Sequence, residues 1–353
     1  MGTILEVKDL KVSYHTYAGE VQSVRGISFQ AEEGETIAIV GESGCGKSVT
    51  AKTVMGLIST PPGEIKSGSQ VLYFGENILK QSEKEWESYR GAKCSMIFQD
   101  ALTSLNPTMN IGKQIMENIL NHSKVTKEEA RRQAVEMLEL VKIPDPALCL
   151  KKYPHELSGG MRQRVMIAIA LSGKPKILIA DEPTTALDVT IQAQIIDLMK
   201  DIQKKLGTTI ILITHDLGVV AGIADKVVVM YSGKIMEKGD LNQIFYGHRH
   251  PYTWALLNAA PSLELENKQQ LVSIEGTPPD LIDPPAGCPF AARCKYCMNI
   301  CTKTEPPEYI MPAEACRSQE EGGSREEEHR TACWLYHPDS GYQDIEFDRE
   351  AEI

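Results

Sequence analysis

Gly41-Glu42-Ser43-Gly44-Cys45-Gly46-Lys47-Ser48 decides the fold of this chain. It fits G-x-x-x-x-G-K-[ST], the pattern of a phosphate-binding loop. Glycines let the backbone turn tightly and aim several N–H groups at one phosphate. A helix starting at the end of the loop adds its dipole. Lys47 reaches the β- and γ-phosphates, and the Ser48 hydroxyl ligates Mg²⁺. Gly41, Ser43, Gly44, Cys45, Gly46, Lys47, Ser48 and the following Val49 form the expected nucleotide-binding set. The bland alternative is a glycine turn before an unrelated helix. Context argues against it: the apolar run Thr36 to Val40 precedes the loop, and the helical pattern VTAKTVMGLI follows.

Strand patterns fill residues 4 to 40, in ILEVKDLKVSY and in GISFQAEEGETIAIV around the turn at Glu33 and Gly34. From about Thr103 to Ala170 the pattern is helical, and KVTKEEARRQAVEMLELV carries a threonine suited to capping its start. Strands and helices then alternate through KILIADE, IQAQIIDLMKDIQKKL, TTIILIT and KVVVMYSGKIMEKG. Such alternation predicts a mostly parallel sheet covered by helices. The Ser232-Gly233 pair predicts a hairpin. From His250 the composition shifts to a short helix, HPYTWALLNAAPS, then the proline-rich EGTPPDLIDPPAG, a cysteine-rich segment and a charged tail.

A second acidic motif supports the loop. Ile177 to Ala180 is an apolar strand ending in Asp181-Glu182. In phosphate-loop enzymes an acid at that place helps hold Mg²⁺, so Asp181 takes that role and Glu182 is placed to polarise an attacking water. Two solvated acids at a strand end are common; beside the loop they carry more weight. Leu157-Ser158-Gly159-Gly160-Met161-Arg162-Gln163-Arg164 opens a further helix. Ser158, Gly159 and Gly160 there make a second anion site, or else an ordinary helix cap.

Together these motifs resemble the ABC ATPases, with LSGGM in place of the commoner LSGGQ signature. The resemblance implies roles for further residues. Gln99 in MIFQD matches the loop that senses Mg²⁺ or the water and faces membrane subunits. Thr184 to Asp188 matches the D-loop. His215 in ILITHDL matches the switch histidine at the γ-phosphate. Tyr14 resembles the aromatic that stacks on adenine, although a strand tyrosine is more often packing. The implied catalytic residues are Glu182, His215 and Gln99. The implied Mg²⁺ set is Ser48, Gln99 and Asp181. The fold expected is α/β: a P-loop NTPase core of the ABC type with an antiparallel β subdomain, a helical insert and a small cysteine-rich C-terminal domain. The boundaries expected are 1–250 for the ATPase domain, with the helical part at about 100–170, and 251–353 for the extension.

HPYTWALLNAAPSL and GTPPDLIDPPAGCPFAARC resemble the C-terminal extension of oligopeptide and dipeptide transporter ATPases, a branch that includes some nickel importers. The resemblance implies an ATPase subunit that drives peptide uptake, with ATP and Mg²⁺, two transmembrane permease subunits, an extracytoplasmic peptide-binding protein and a second related ATPase subunit. A nickel importer of the same branch stays open. The implied location is peripheral, on the cytoplasmic face of the membrane. No stretch of the sequence approaches the roughly 20 apolar residues that span a bilayer. The start MGTILEVKD lacks the pattern of a secretory signal, and Glu6 stands where myristoylation wants Ser or Thr.

A soluble ABC ATPase acting on nucleic acid or ribosomes is the rival from another class. One cassette and a formal net charge of -11 argue against it, because phosphate-backbone partners need basic surface. A nucleotide-binding regulator without turnover is a third reading, and the intact Glu182 and His215 argue against that.

Six of nine cysteines crowd the last quarter: Cys288, Cys294, Cys297, Cys301, Cys316 and Cys333. A cytosolic setting disfavours disulfides, so a metal is the better reading. Cys288, Cys294, Cys301 and Cys333 lie where some members of the branch carry an iron–sulfur site. Four thiolates suit a [4Fe–4S] cluster or zinc. The Cys294/Cys297 pair keeps a zinc alternative open, as does the bland reading of free thiols. Every expected ATP contact lies before residue 220, so loss of the cluster is expected to leave nucleotide binding largely intact.

Overall fold

The computed structural model describes residues 2–100, 104–185, 187–259, 274–312 and 328–342. β1 (Thr3–Thr16) and β2 (Gly19–Glu32) form a long antiparallel hairpin. Leu5, Val7, Leu10 and Val12 on β1 and Val24, Ile27, Phe29 and Ala31 on β2 are buried. β4 (Gly63–Ile65), β5 (Gln70–Tyr73) and β6 (Glu76–Asn77) complete this front sheet, with β4 and β5 both on β1.

The central sheet comprises β3 (Thr36–Val40), β7 (Cys94–Ile97), β8 (Ile177–Asp181), β9 (Thr209–Thr214), β10 (Lys226–Tyr231), β11 (Lys234–Asp240), β12 (Tyr309–Ile310) and β13 (Arg330–Thr331). Among the described residues its order is β12-β13-β11-β10-β3-β9-β8-β7. β10, β3, β9, β8 and β7 run parallel. All residues of β3, β8 and β9 are buried, as expected of parallel strands covered on both faces.

The helices are α1 (Lys47–Val54), α2 (Glu83–Tyr89), α3 (Ile111–His122), α4 (Lys127–Leu140), α5 (Pro146–Cys149), α6 (Gly159–Ser172), α7 (Val189–Leu206), α8 (Leu217–Ile223), α9 (Leu241–Tyr246) and α10 (Pro251–Asn258). None is long and apolar enough to cross a membrane among the described residues. The helical insert holds itself together by spacing. Ile111, Ile115 and Ile119 recur every four residues on α3, and Ala130, Ala134 and Leu138 do so on α4. Both rows join one core with Val165, Ile167 and Ala168 of α6. The Thr126 hydroxyl caps α4 by accepting the Glu129 N–H at 3.2 Å. The expected helix after the glycine loop is shorter than its apolar pattern, because it ends at Val54 before Gly56, whose φ is +62°.

The C-terminal extension packs onto the core. β13 pairs with β11 and so lengthens the central sheet. Phe290 sits against the rings of Tyr231 and Tyr252 at 5.4 and 5.2 Å. Glu237 on β11, fully buried, accepts the His250 N–H at 3.0 Å and bonds His329 Nε2 at 2.7 Å. Burial works to raise the Glu237 carboxyl, but His329 and the nearby donors outweigh it and hold the group below its usual range. A depressed carboxyl contributes stability above its unfolded pKa, and that stability is lost as pH falls through the folded value. His329→Leu would leave a buried carboxylate short of its partner, at a cost of about 3 kcal/mol. The expected result is a lower unfolding midpoint at pH 7, faster hydrogen exchange at β13, and a difference from wild type that shrinks as pH falls through the depressed Glu237 range. An unchanged midpoint at pH 7 would show that the Glu237–His329 contact does not stabilise the fold.

Candidate functional site

The parallel strands bring their carboxyl ends to one edge of the sheet, where open α/β folds bind ligands. β3 delivers Gly41 to Ser48, its neighbour β9 delivers His215, β8 delivers Asp181 and Glu182, and β7 leads to Gln99. Four separate stretches of sequence thereby meet.

Two glycines of the loop are required by the backbone. Gly41 has φ +147°, and a Cβ there would lie 2.0 Å from the Met230 carbonyl oxygen. Gly46 has φ +100°, with the Ser23 carbonyl oxygen 2.4 Å from the same notional carbon. Lys47 is buried, and its ammonium donates to the carbonyls of Gly41 at 2.7 Å and Glu42 at 2.8 Å. These bonds hold the side chain over the loop and can be exchanged for phosphate oxygens.

Ser48 Oγ donates to Asp181 Oδ1 at 3.0 Å. Burial raises the Asp181 carboxyl above its usual range, against the Ser48 hydrogen bond. The pair offers hard oxygen donors, the chemistry that suits Mg²⁺. Next to it, Glu182 gathers three groups. Its Oε2 accepts from Gln99 Nε2 at 2.7 Å and from the Thr185 hydroxyl at 2.9 Å, and its Oε1 lies 3.1 Å from His215 Nδ1. Glu182 has φ +49°, a conformation that costs a non-glycine residue about 1 kcal/mol or more. Such strain at the end of a buried strand is found at functional sites.

Two expected groups stand differently. Ser158 is exposed, and its hydroxyl accepts the Met161 N–H at 3.4 Å, capping α6. Its described contact is within its own helix, and Gly160 lies against Ile191 of α7. Tyr14 is half-buried against the front-sheet core with Ile58 and Ile65, and burial raises its phenol. In the D-loop, Ala186 lies outside the described residues.

A cavity of about 320 Å³ opens beside the loop. Val21, Glu42, Ser43, Gly44, Cys45, Tyr231 and Ser232 form one side, and Pro278, Pro279, Asp280 and Leu281 the other. Tyr14 is not in its wall; its cross-strand neighbour Val21 is. The Gln22 N–H donates to the Leu281 carbonyl at 2.8 Å, tying the proline-rich segment to β2. Arg293 donates to Glu42 Oε2 at 2.7 Å, and the Glu42 N–H donates to the Tyr252 hydroxyl at 3.0 Å. The extension therefore reaches the phosphate loop, although none of its residues falls in the nucleotide-binding set expected from the sequence. Its residues hold the second residue of the phosphate loop. Sequence reasoning missed Arg293, Tyr252 and the Pro278–Leu281 wall because no local pattern links positions some 250 apart.

Cys288, Cys294, Cys301 and Cys333 line one small cavity with Phe290, Tyr296, Trp334 and Leu335. Burial pushes the Cys288 thiol up to about 12 and that of Cys294 to about 11. Cys297 is exposed, and Cys316 lies outside the described residues. All eight described cysteines are free thiols. Among the described residues, no three His, Cys, Asp or Glu side chains are arranged to hold a single metal ion.

Known proteins resemble this chain over nearly its whole length. The family profile described as "ABC transporter" matches residues 24–185, and that of the "Oligopeptide/dipeptide transporter, C-terminal region" matches residues 236–301. A profile described as "AAA domain, putative AbiEii toxin, Type IV TA system" overlaps at residues 152–221. The oligopeptide transport ATP-binding protein OppD of Bacillus subtilis is 54% identical over 96% of this chain and 90% of its own length. The dipeptide transport ATP-binding protein DppD of the same organism is 52% identical over 95% of each chain. OppD of Salmonella typhimurium is 51% identical over 88% of this chain and 91% of its own. Among solved structures, a dimeric ATP-binding cassette in a post-hydrolysis state with ADP and Pi matches with TM-score 0.60 and 25% identity, covering 67% of this chain and 98% of its own. The protein cbiO1 of Clostridium perfringens, part of the ABC transporter complex cbiONQ, matches with TM-score 0.59 and 30% identity, covering 69% of this chain and 91% of its own.

Proposed function

This chain belongs to the ABC transporter ATPase family, in its oligopeptide and dipeptide branch, and from that premise we propose how it works: it hydrolyses ATP to drive uptake of oligopeptides or dipeptides through a membrane permease. The observation that carries the reading is the convergence of Gln99, Thr185 and His215 on Glu182, beside the Ser48–Asp181 pair and the buried Lys47. Lys47 and the loop N–H groups bind the β- and γ-phosphates. Ser48 and Asp181 hold Mg²⁺, which neutralises charge developing on the phosphoryl oxygens. Glu182 orients and polarises the water, with Gln99 and His215 holding its carboxylate in place.

Ser158, exposed at the start of α6, and the half-buried Gly160 serve the site of a second ATPase subunit. A related cassette that is dimeric with ADP and Pi bound supports pairing of two such subunits; in the pairing proposed, ATP lies between the loop of one subunit and the signature of the other. Closure then depends on ATP, and hydrolysis releases it. That difference in contacts is the free energy a conformational drive needs. The partners are the permease and a peptide-binding protein, and the location is the cytoplasmic face of the membrane. Residues 1–250 form the ATPase domain and residues 251–353 the extension. The test is transport: the reconstituted complex should couple ATP hydrolysis to peptide uptake. Coupling to nickel alone would move the chain to the other substrate of its branch.

The four cysteines on one cavity support a [4Fe–4S] cluster, which requires four thiolates on separate irons. In that role it would staple the extension. Protein purified without oxygen should be brown and contain about four irons. Serine at Cys288, Cys294, Cys301 or Cys333 should each lower iron, because a hydroxyl is a poor replacement for a thiolate. Serine at the exposed Cys297 should change it little. Stoichiometric zinc without iron would replace the cluster with a zinc staple, and neither metal would remove both.

A further inference from the structure

The phosphate loop is held by a side chain from far along the chain. Arg293 lies in a short 3-10 turn (Ala291–Arg293), next to Cys294. Its side chain is 6% exposed, and its guanidinium makes four hydrogen bonds. Nη1 donates to Glu42 Oε2 at 2.7 Å and to the Tyr231 hydroxyl at 3.0 Å. Nη2 donates to the Ile274 carbonyl at 3.0 Å, and Nε to the Glu275 carbonyl at 2.9 Å. The guanidinium also lies 5.7 Å from the Tyr231 ring centre. One planar fork thus joins the phosphate loop, the end of β10 and the proline-rich segment.

Glu42 is correspondingly held at three points. Its N–H goes to Tyr252, its carboxylate to Arg293, and its carbonyl receives Lys47. The carbonyl that Lys47 leans on is therefore placed by residues of the extension. We propose that Arg293 is a positioning residue of the ATP site, acting through Glu42 to hold the phosphate loop in its binding shape. The proposal rests on the reading of residues 41–48 as the phosphate loop. The physical reason is preorganisation: a loop already fixed does not lose conformational freedom when ATP binds. Glu182, Gln99 and His215 stand on other strands and make no bond to Arg293, so the chemical step is not what Arg293 controls.

The test uses the full chain in its assembled transporter, with ATP as the probe. Arg293→Gln and Glu42→Gln are each expected to raise the Kd and KM for ATP about tenfold, the scale of ordering one or two residues, while kcat stays within about twofold. The double variant should be no worse than the weaker-binding single variant, because both remove one interaction. Arg293→Lys keeps the charge but loses the fork, and should fall between wild type and Arg293→Gln. Glu42→Gln tests the contact from the core side if Arg293→Gln fails to fold. Wild-type Kd in both single variants, or effects that add in full, would overturn the proposal. Lys47→Ala separates the two readings. If Lys47→Ala loses ATP while the Arg293 and Glu42 variants bind as wild type, only the positioning role falls. If Lys47→Ala binds ATP normally, the phosphate-loop reading falls with it.

Discussion

Glu182→Gln is expected to bind ATP with near-normal affinity and to lose turnover by a factor of about 10² to 10⁴, the usual contribution of a positioned general base. The substitution keeps the size of the side chain and one oxygen acceptor. It removes the charge on which Gln99, Thr185 and His215 converge. The strained backbone at φ +49° is unchanged by an amide, so the loop should keep its place. With ATP and Mg²⁺ the variant should accumulate as a closed dimer of ATPase subunits, seen as a larger species by size-exclusion chromatography. Single-turnover measurement should show bound ATP that persists. Normal steady-state ATPase activity in the assembled transporter would remove Glu182 from the chemistry.

Lys47→Ala should act earlier, on binding. With ATP bound, the ammonium is expected to make two charge-assisted bonds to phosphate oxygens, each worth about 1.5 to 3 kcal/mol. In the free protein it already bonds the Gly41 and Glu42 carbonyls, and giving those up offsets part of the gain. The net expected loss is roughly 100-fold in ATP affinity, with transport abolished at cellular ATP. Equilibrium binding of ATP measures it. Because Lys47 is buried, truncation also leaves two carbonyls short of a donor, so a lower thermal midpoint is expected alongside. ATP at saturating concentration should not restore wild-type turnover, since the lysine also neutralises charge on the γ-phosphate in the transition state.

Much of this site was legible because its parts are contiguous. In Gly41–Ser48 the chain itself places three glycines, a lysine and two serine hydroxyls on one turn, and the apolar β3 before it and α1 after it are read from local periodicity. Asp181 and Glu182 follow β8 by the same logic. The helical insert was legible from four-residue spacing on α3 and α4, and the Thr126 cap from its place before the first turn. Tyr14 was less so. A strand pattern says which face a tyrosine shares, but not whether that face meets a nucleotide or a core.

The sequence by itself determined the longer strands and helices of the core, the phosphate-loop pattern and, through resemblance, the family. Tertiary structure decided which elements meet. Gln99 and Glu182 are 83 positions apart and His215 is 33 beyond Glu182, yet all three touch because β7, β8 and β9 are neighbours in a parallel sheet. Arg293 and Glu42 are 251 positions apart. β13 is two residues long, too short for any periodicity, and exists because β11 offers it an edge. Local patterns record how a residue stands relative to its chain neighbours, through sterics and the spacing of side chains on one face. Contacts across the molecule depend on sheet order and on the fit of packed side chains, which are properties of the whole fold.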